Sequence, residues 1–230
     1  MSKNVISKGK LIVIEGIDGS GKTTQNDLLV ERLKSINKKV NTIKFPRHNT
    51  PFFGTMVDEY LNNKFGPADK LDPRLASLLF ACDRWEVKDQ LLSWLSVGSW
   101  IIPDRYVTSN LGHQLGKLAT KEEKDAYIKW EIDLEYKTFH LPQPDLVLYL
   151  DVPLRIIKKL LKTRAGKEYI KGELDGHEAS EDHLKSAREA YIYCLKKFPN
   201  WKRIECMEYD QLLSPKEIHS KIWNKIRESL

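Results

Sequence analysis

Residues Gly16 to Thr23 read Gly-Ile-Asp-Gly-Ser-Gly-Lys-Thr, a G-x-x-x-x-G-K-[ST] run placed directly after the apolar stretch Lys10 to Glu15 and at the head of a helical pattern. In that context the run is a phosphate-binding loop. Its glycines admit a phosphate to the backbone, so the segment Gly16, Ile17, Asp18, Gly19, Ser20, Gly21, Lys22, Thr23 and Thr24 can wrap the phosphates of ATP at the positive end of a helix. The lysine of such a loop, here Lys22, bridges β- and γ-oxygens, and the hydroxyl, here Thr23, holds Mg2+.

The ion needs a carboxylate as well. Trp100-Ile101-Ile102-Pro103-Asp104 is an apolar run that ends in an acid, and Asp104 is expected to organise Mg2+ and its waters. Pro103 removes a ladder donor, so it must stand at the very end of its strand. Arg105 follows at once, where a motor ATPase would more often carry a second acid. A cation there suits an acceptor phosphate and favours a kinase. No N-K-x-D motif follows a later strand, so the base-reading signature of GTPases is missing. Phosphoryl transfer depends on positioning and charge neutralisation and requires no histidine; His48, His113, His140, His177, His183 and His219 are mostly read as surface residues.

Phe80 and Arg84 lie four apart on a helical pattern and share a face. They could be a core phenylalanine and an exposed arginine. That is the commoner case for such a pair; the sharper reading is a stacking platform for a base with a donor for a carbonyl.

These residues need a scaffold. Short apolar runs at Lys10–Glu15, Val40–Phe45, Trp100–Pro103, Asp145–Leu150 and Arg203–Met207 read as strands, with helical patterns between them. Such alternation predicts an α/β, three-layer P-loop kinase fold: a five-stranded parallel sheet with helices on both faces and ligands beyond the carboxyl ends of the strands. Asp72 and Pro73 make a helix start, with Leu75, Leu78, Leu79, Cys82, Leu91 and Leu95 as the apolar stripe of one helix running to about Ser96. Thr120 and Glu123 make a capping box for a helix to about Phe139. Thr163 to Ala179 is rich in Gly, Lys and Glu and is expected to be a mobile lid. The chain, residues 1–230, is expected to be a single kinase domain.

Composition agrees with a soluble enzyme. Of 230 residues, 41% are hydrophobic and 30% charged, inside the ordinary globular range. The formal charge of +6 is not gathered into a basic block, so nucleic acid is not an expected partner. The three cysteines form no C-x-x-C pair, which fits a reducing compartment. Met1 to Lys10 has no apolar core, and nowhere do about 18 apolar residues run together. A cytoplasmic location with no membrane partner is expected.

Together the motifs resemble thymidylate kinase from about Lys10 to the C-terminal helix. They are EGIDGSGKTTQ at Glu15 to Gln25, FPR at Phe45 to Arg47, LLFACDRWE at Leu78 to Glu86, DRYVTSN at Asp104 to Asn110, and LPQPDLVLYLDVP at Leu141 to Pro153. The resemblance implies Mg2+-dependent transfer from ATP to dTMP by a homodimer. It implies that Phe80 stacks on thymine, Arg84 reaches its O4, and Asn110, after Ser109, lies near the pyrimidine edge. Arg47 and Arg105 would hold the acceptor phosphate beside Phe45, and Asp18 would contact the sugar 3′-hydroxyl and the phosphate side. His113 stands where the family often has a tyrosine beside the 2′ position. Because Gly19 and Ser20 occupy the loop where one branch keeps an arginine, the transition-state cation would come from the lid: Arg164 first, then Lys162 or Lys167. Another nucleoside-monophosphate or deoxynucleoside kinase is the near alternative. A nucleic-acid-binding P-loop ATPase, prompted by the charge and by Trp130 and Trp201, is the remote one.

Overall fold

The strand that delivers the phosphate-binding loop, β1 (Lys10–Glu15), is buried from Leu11 onward, because an unbroken Leu-Ile-Val-Ile run can sit only where helices cover both faces of a sheet. The computed structural model describes residues 9–68, 70–161 and 181–230, and the helical path of 162–168. β1 lies in the middle of a five-stranded sheet, ordered β2 (Val40–Lys44), β3 (Trp100–Asp104), β1, β4 (Leu146–Asp151), β5 (Trp201–Glu205). All neighbours are parallel. The β1–β3 register runs Lys10↔Trp100 and Leu11↔Ile101, so Pro103 stands past that ladder, but it still pairs with Ile43 of β2 and is the next-to-last residue of β3 rather than its end. Asp104 closes β3 opposite Lys44.

Helices fill both sides: α1 (Lys22–Ser35), α2 (Phe53–Leu61), α3 (Pro73–Trp85), α4 (Lys88–Ser96), α5 (Val107–His113), α6 (Lys121–Ile132), α7 (Leu154–Glu168), α8 (Glu181–Lys197) and α9 (Pro215–Ser229). Their starts follow local chemistry. Asp72 accepts from the amides of Arg74 at 2.8 Å and Leu75 at 3.4 Å with Pro73 in the first turn, and Thr120 with Glu123 forms the expected capping box. Among the described residues no helix is long and apolar enough to cross a membrane. The core joins Ile12, Ile14, Ile102, Leu148 and Leu150 from the sheet to Leu29, Leu33 and Ile222 from its helices. Truncating any one of these to alanine costs about 2–5 kcal/mol.

Several expected boundaries move. The last strand starts at Trp201 rather than Arg203, and Met207 belongs to a small antiparallel hairpin, β6 (Met207–Glu208) with β7 (Gln211–Leu212). The helix expected from Asp72 to Ser96 is two helices. Val87 N bonds back three residues to Arg84 O at 3.2 Å, which ends α3 so that α4 can turn and bury Leu91. The leucines of α3 are not its buried stripe. Ala76, Ser77, Ala81, Asp83 and Arg84 are buried, while Leu75 and Leu78 are exposed. The helix from Thr120 changes from α to π geometry over Asp133–Thr138. The lid expectation, 163 to 179, falls on α7 up to Glu168 and beyond that outside the described residues.

Candidate active site

A cavity of about 600 Å3 opens over the carboxyl ends of β1, β2 and β3, where ligands gather in open α/β sheets. The phosphate-binding loop floors one end, and Phe80 and Arg84 of α3 with Asn110 and Gln114 wall the other. Leu160 and Leu161 of α7 and His183 of α8 complete the lining.

The loop is built for anions. Gly19 and Gly21 take left-handed φ angles of 82° and 92°, which a side chain would oppose. Gly21 caps α1 without any side-chain bond, which leaves the first amides of α1 to a ligand. Lys22 is buried, and its Nζ donates to Gly16 O at 2.8 Å, Ile17 O at 3.2 Å and Asp18 Oδ1 at 3.2 Å. It therefore rests on the loop's own acceptors. Phosphate oxygens would exchange those contacts for stronger charge-assisted ones.

Asp18 also accepts from Arg105 Nη2. Burial works against its charge, but Arg105 and then Lys22 outweigh it and hold the carboxyl well below the usual carboxylate range. Arg105 itself has a left-handed φ of 64°, a conformation that costs a non-glycine residue on the order of 1–3 kcal/mol. The turn brings its guanidinium off β3 toward the loop. Its Nη1 lies 3.1 Å from His113 Nε2, and His113 Nδ1 lies 3.1 Å from His183 Nε2.

At the far end Arg84 is 2% exposed and grips Glu135, Nε to Oε2 at 2.7 Å and Nη2 to Oε1 at 2.5 Å. Burial opposes its charge, and Glu135 more than restores it, raising its pKa. Glu131 accepts from Asn110 Nδ2 at 2.7 Å; burial first, and Glu135 second, push its carboxyl well above the usual range. Phe80 presents an edge-on pair with Tyr60, centroids 5.9 Å apart.

A family model described as thymidylate kinase matches residues 14–222. The chain belongs to the thymidylate kinase family. Thymidylate kinase of Schizosaccharomyces pombe is 32% identical over 222 residues, spanning 96% of this chain and 92% of that one. The Plasmodium falciparum thymidylate kinase is 36% identical over 146 residues, 64% of this chain and 63% of that protein. The solved thymidylate kinase of Candida albicans, described for its broad substrate specificity and a novel structural element, superposes with a TM-score of 0.71 at 27% identity, covering 96% and 92% of the two chains. The five-stranded parallel sheet and its flanking helices are the P-loop kinase fold of these thymidylate kinases.

Most residues singled out from the sequence come together: Asp18, Gly19, Gly21, Lys22, Thr23, Thr24, Phe45, Phe80, Arg84, Asp104, Arg105, Ser109, Asn110 and His113 all line the one cavity. Gly16, Ile17 and Ser20 are buried beneath it. Ser109 reaches the lining, but its hydroxyl donates to Glu15 at 2.8 Å, alongside Thr108 and Tyr191. Arg47 departs from expectation. It is not among the lining residues; its Nε bonds Asp83 of α3 at 2.9 Å and its Nη2 bonds Glu86, the residue just past that helix. His48 lines the wall instead. Arg164 lies in α7, one turn past Leu160; its side chain, with those of Lys162 and Lys167, is outside the described residues.

Sequence reasoning missed Glu135, Glu131, Gln114 and His183. Gln114 is 5% exposed and lines the cavity, and among the described residues its Oε1 has no hydrogen-bond partner. Its place one residue after His113 was the available signal. His113 and His183 are part of the cavity wall rather than open surface, because they stack on each other with centroids 5.3 Å apart.

Proposed function

We infer that this chain transfers the γ-phosphate of ATP to dTMP, yielding ADP and dTDP by direct in-line displacement. One observation carries the reading: a single cavity runs from Lys22 and the free end of α1 to an aromatic and arginine pair, Phe80 and Arg84, so donor phosphate and acceptor base share one space. A phosphate oxygen of dTMP attacks the γ-phosphorus as the bond to the ADP oxygen breaks. Lys22 and the loop amides stabilise charge on the transferring group, and Arg105, braced by Asp18, is read as the cation for the acceptor phosphate. Phe80 offers a face to the base and Arg84 a donor to a carbonyl, while the unpartnered Gln114 oxygen suits an imide N–H such as pyrimidine N3–H. Arg164 is the proposed lid cation. Arg47 can join the acceptor site only by leaving Asp83.

The Thr23 hydroxyl and the Asp104 carboxylate both line the cavity, and hard oxygen donors of this kind fit Mg2+. Among the described residues there is no cluster of three or more His, Cys, Asp or Glu that could hold a metal ion. When bound, Mg2+ would neutralise phosphate charge.

The whole chain is read as one kinase domain built on the one large sheet, in the cytoplasm, where its free cysteines Cys82, Cys194 and Cys206 suit a reducing medium. A homodimer is read from the family resemblance, and the exposed Leu75, Leu78, Trp85 and Leu92 on α3 and α4 are compatible with it; light scattering checks it. The activity is tested by presenting dTMP, dUMP, UMP, thymidine, dCMP and AMP separately with ATP and Mg2+. Preference for dTMP is expected, and transfer to dCMP or AMP but not to dTMP would overturn the reading.

A further inference from the structure

His183, the third residue of α8, reaches the acceptor end of the cavity from an element that carries none of the residues discussed for phosphate binding. Its contacts have a direction. Arginine nitrogens only donate, so the 3.1 Å contact between Arg105 Nη1 and His113 Nε2 requires a lone pair on that ring nitrogen. A neutral imidazole then carries its proton on Nδ1. The 3.1 Å contact from His113 Nδ1 to His183 Nε2 is accordingly a donation, and His183 accepts it. Asp18 orients Arg105 from the other side. The result is a directed chain, with Arg105 donating both to Asp18 and to His113, and His113 donating to His183.

The planes of the two imidazoles are also nearly parallel, 18° apart, and Tyr191 meets His113 edge-on at 6.0 Å. Packing alone would account for the ring positions. It would not determine which nitrogen carries the proton. Burial first, then Arg105 and His183, disfavour a charge on His113 against the pull of Asp18, which agrees with a neutral donor in the middle of the chain.

We propose that His183 is a positioning residue for phosphoryl transfer: by accepting from His113 Nδ1 it fixes the His113 tautomer, and so holds Arg105 in the rotamer that faces the acceptor phosphate. The proposal rests on the reading of Arg105 as the acceptor-phosphate arginine. His183 needs no contact with substrate for this role, and its loss should register in acceptor binding rather than in the donor site.

Two substitutions separate hydrogen bonding from packing. H183F keeps an aromatic ring against His113 but removes the acceptor; H183Q loses the ring and keeps an acceptor oxygen. H183F is expected to raise KM for dTMP roughly two- to tenfold, the effect of one hydrogen bond, with KM for ATP unchanged, while H183Q stays within about twofold of the parent. Nitrogen-15 spectra of the imidazoles of the unsubstituted protein should show His113 protonated on Nδ1. The opposite pattern, H183Q impaired and H183F normal, would make the pair a packing contact and overturn the proposal. Equal loss in both variants, no loss in either, or a His113 proton on Nε2 would overturn it as well. The tautomer measurement needs neither a variant nor turnover. A parent protein inactive on dTMP would therefore refute the function while leaving the hydrogen-bond chain to be judged separately.

Discussion

The pair Arg84 and Glu135 offers the sharpest test of how the acceptor end is built. Both side chains are essentially out of water, at 2% and 0% exposure, and they meet through two parallel hydrogen bonds. Removing one partner leaves the other as an uncompensated buried charge, which costs about 3–5 kcal/mol. For a domain of this size each kcal/mol lowers Tm by roughly 2–4 °C, so R84M or E135Q alone should melt roughly 6–20 °C below the parent by the same arithmetic. R84M/E135L removes both charges together. Neither partner is then left as an unpaired buried charge, and most of the lost stability should return, as replaced buried ion pairs commonly allow. Activity should not return with it if Arg84 is the proposed donor to the base; kcat/KM for dTMP stays low while KM for ATP stays near its original value. Thermal unfolding and steady-state kinetics on the three variants decide the matter. If R84M/E135L melts no higher than R84M, the pair is not an isolated charge balance. If the double variant retains full kcat/KM for dTMP, Arg84 has no part in reading the base.

Three further outcomes are expected. R105A should lower kcat/KM for dTMP by the loss of a charge-assisted contact, about 1.5–3 kcal/mol, and an unchanged value removes Arg105 from the acceptor site. R164A should reduce kcat far more than nucleotide affinity if the residue acts in the transition state; equal losses would mark simple binding. Asp18 has its folded pKa below the ordinary value, so its ion pairs contribute stability that is present above about pH 4 and lost as pH falls toward that lower folded value. The stability gap between the parent and D18N, followed by chemical unfolding across pH, should narrow on acidification, and a gap that widens instead would contradict the assignment.

The phosphate-binding loop was legible because its chemistry is contiguous. Eight neighbouring residues carry the glycine conformations, the lysine and the hydroxyl, and the apolar β1 run before them can only be a covered strand. Caps at Asp72 and Thr120 were legible for the same reason, since each is satisfied within a few residues. The broken helix at Val87 was not, because no glycine or proline marks it and only the burial of Leu91 calls for it.

By itself, then, the sequence determined a nucleotide-binding α/β kinase and most of the residues that line its cavity, through local spacing and the quoted motifs. Tertiary structure alone decided which polar side chains were already paired. Arg84 meets Glu135 across 51 residues, Arg47 meets Asp83 across 36, and His113 meets His183 across 70. Such pairings depend on which helix faces the sheet and what lies nearest once water is excluded, and helical periodicity does not encode that; it favoured the leucines of α3 as the buried stripe, where the fold buries an arginine and leaves Leu75 and Leu78 exposed.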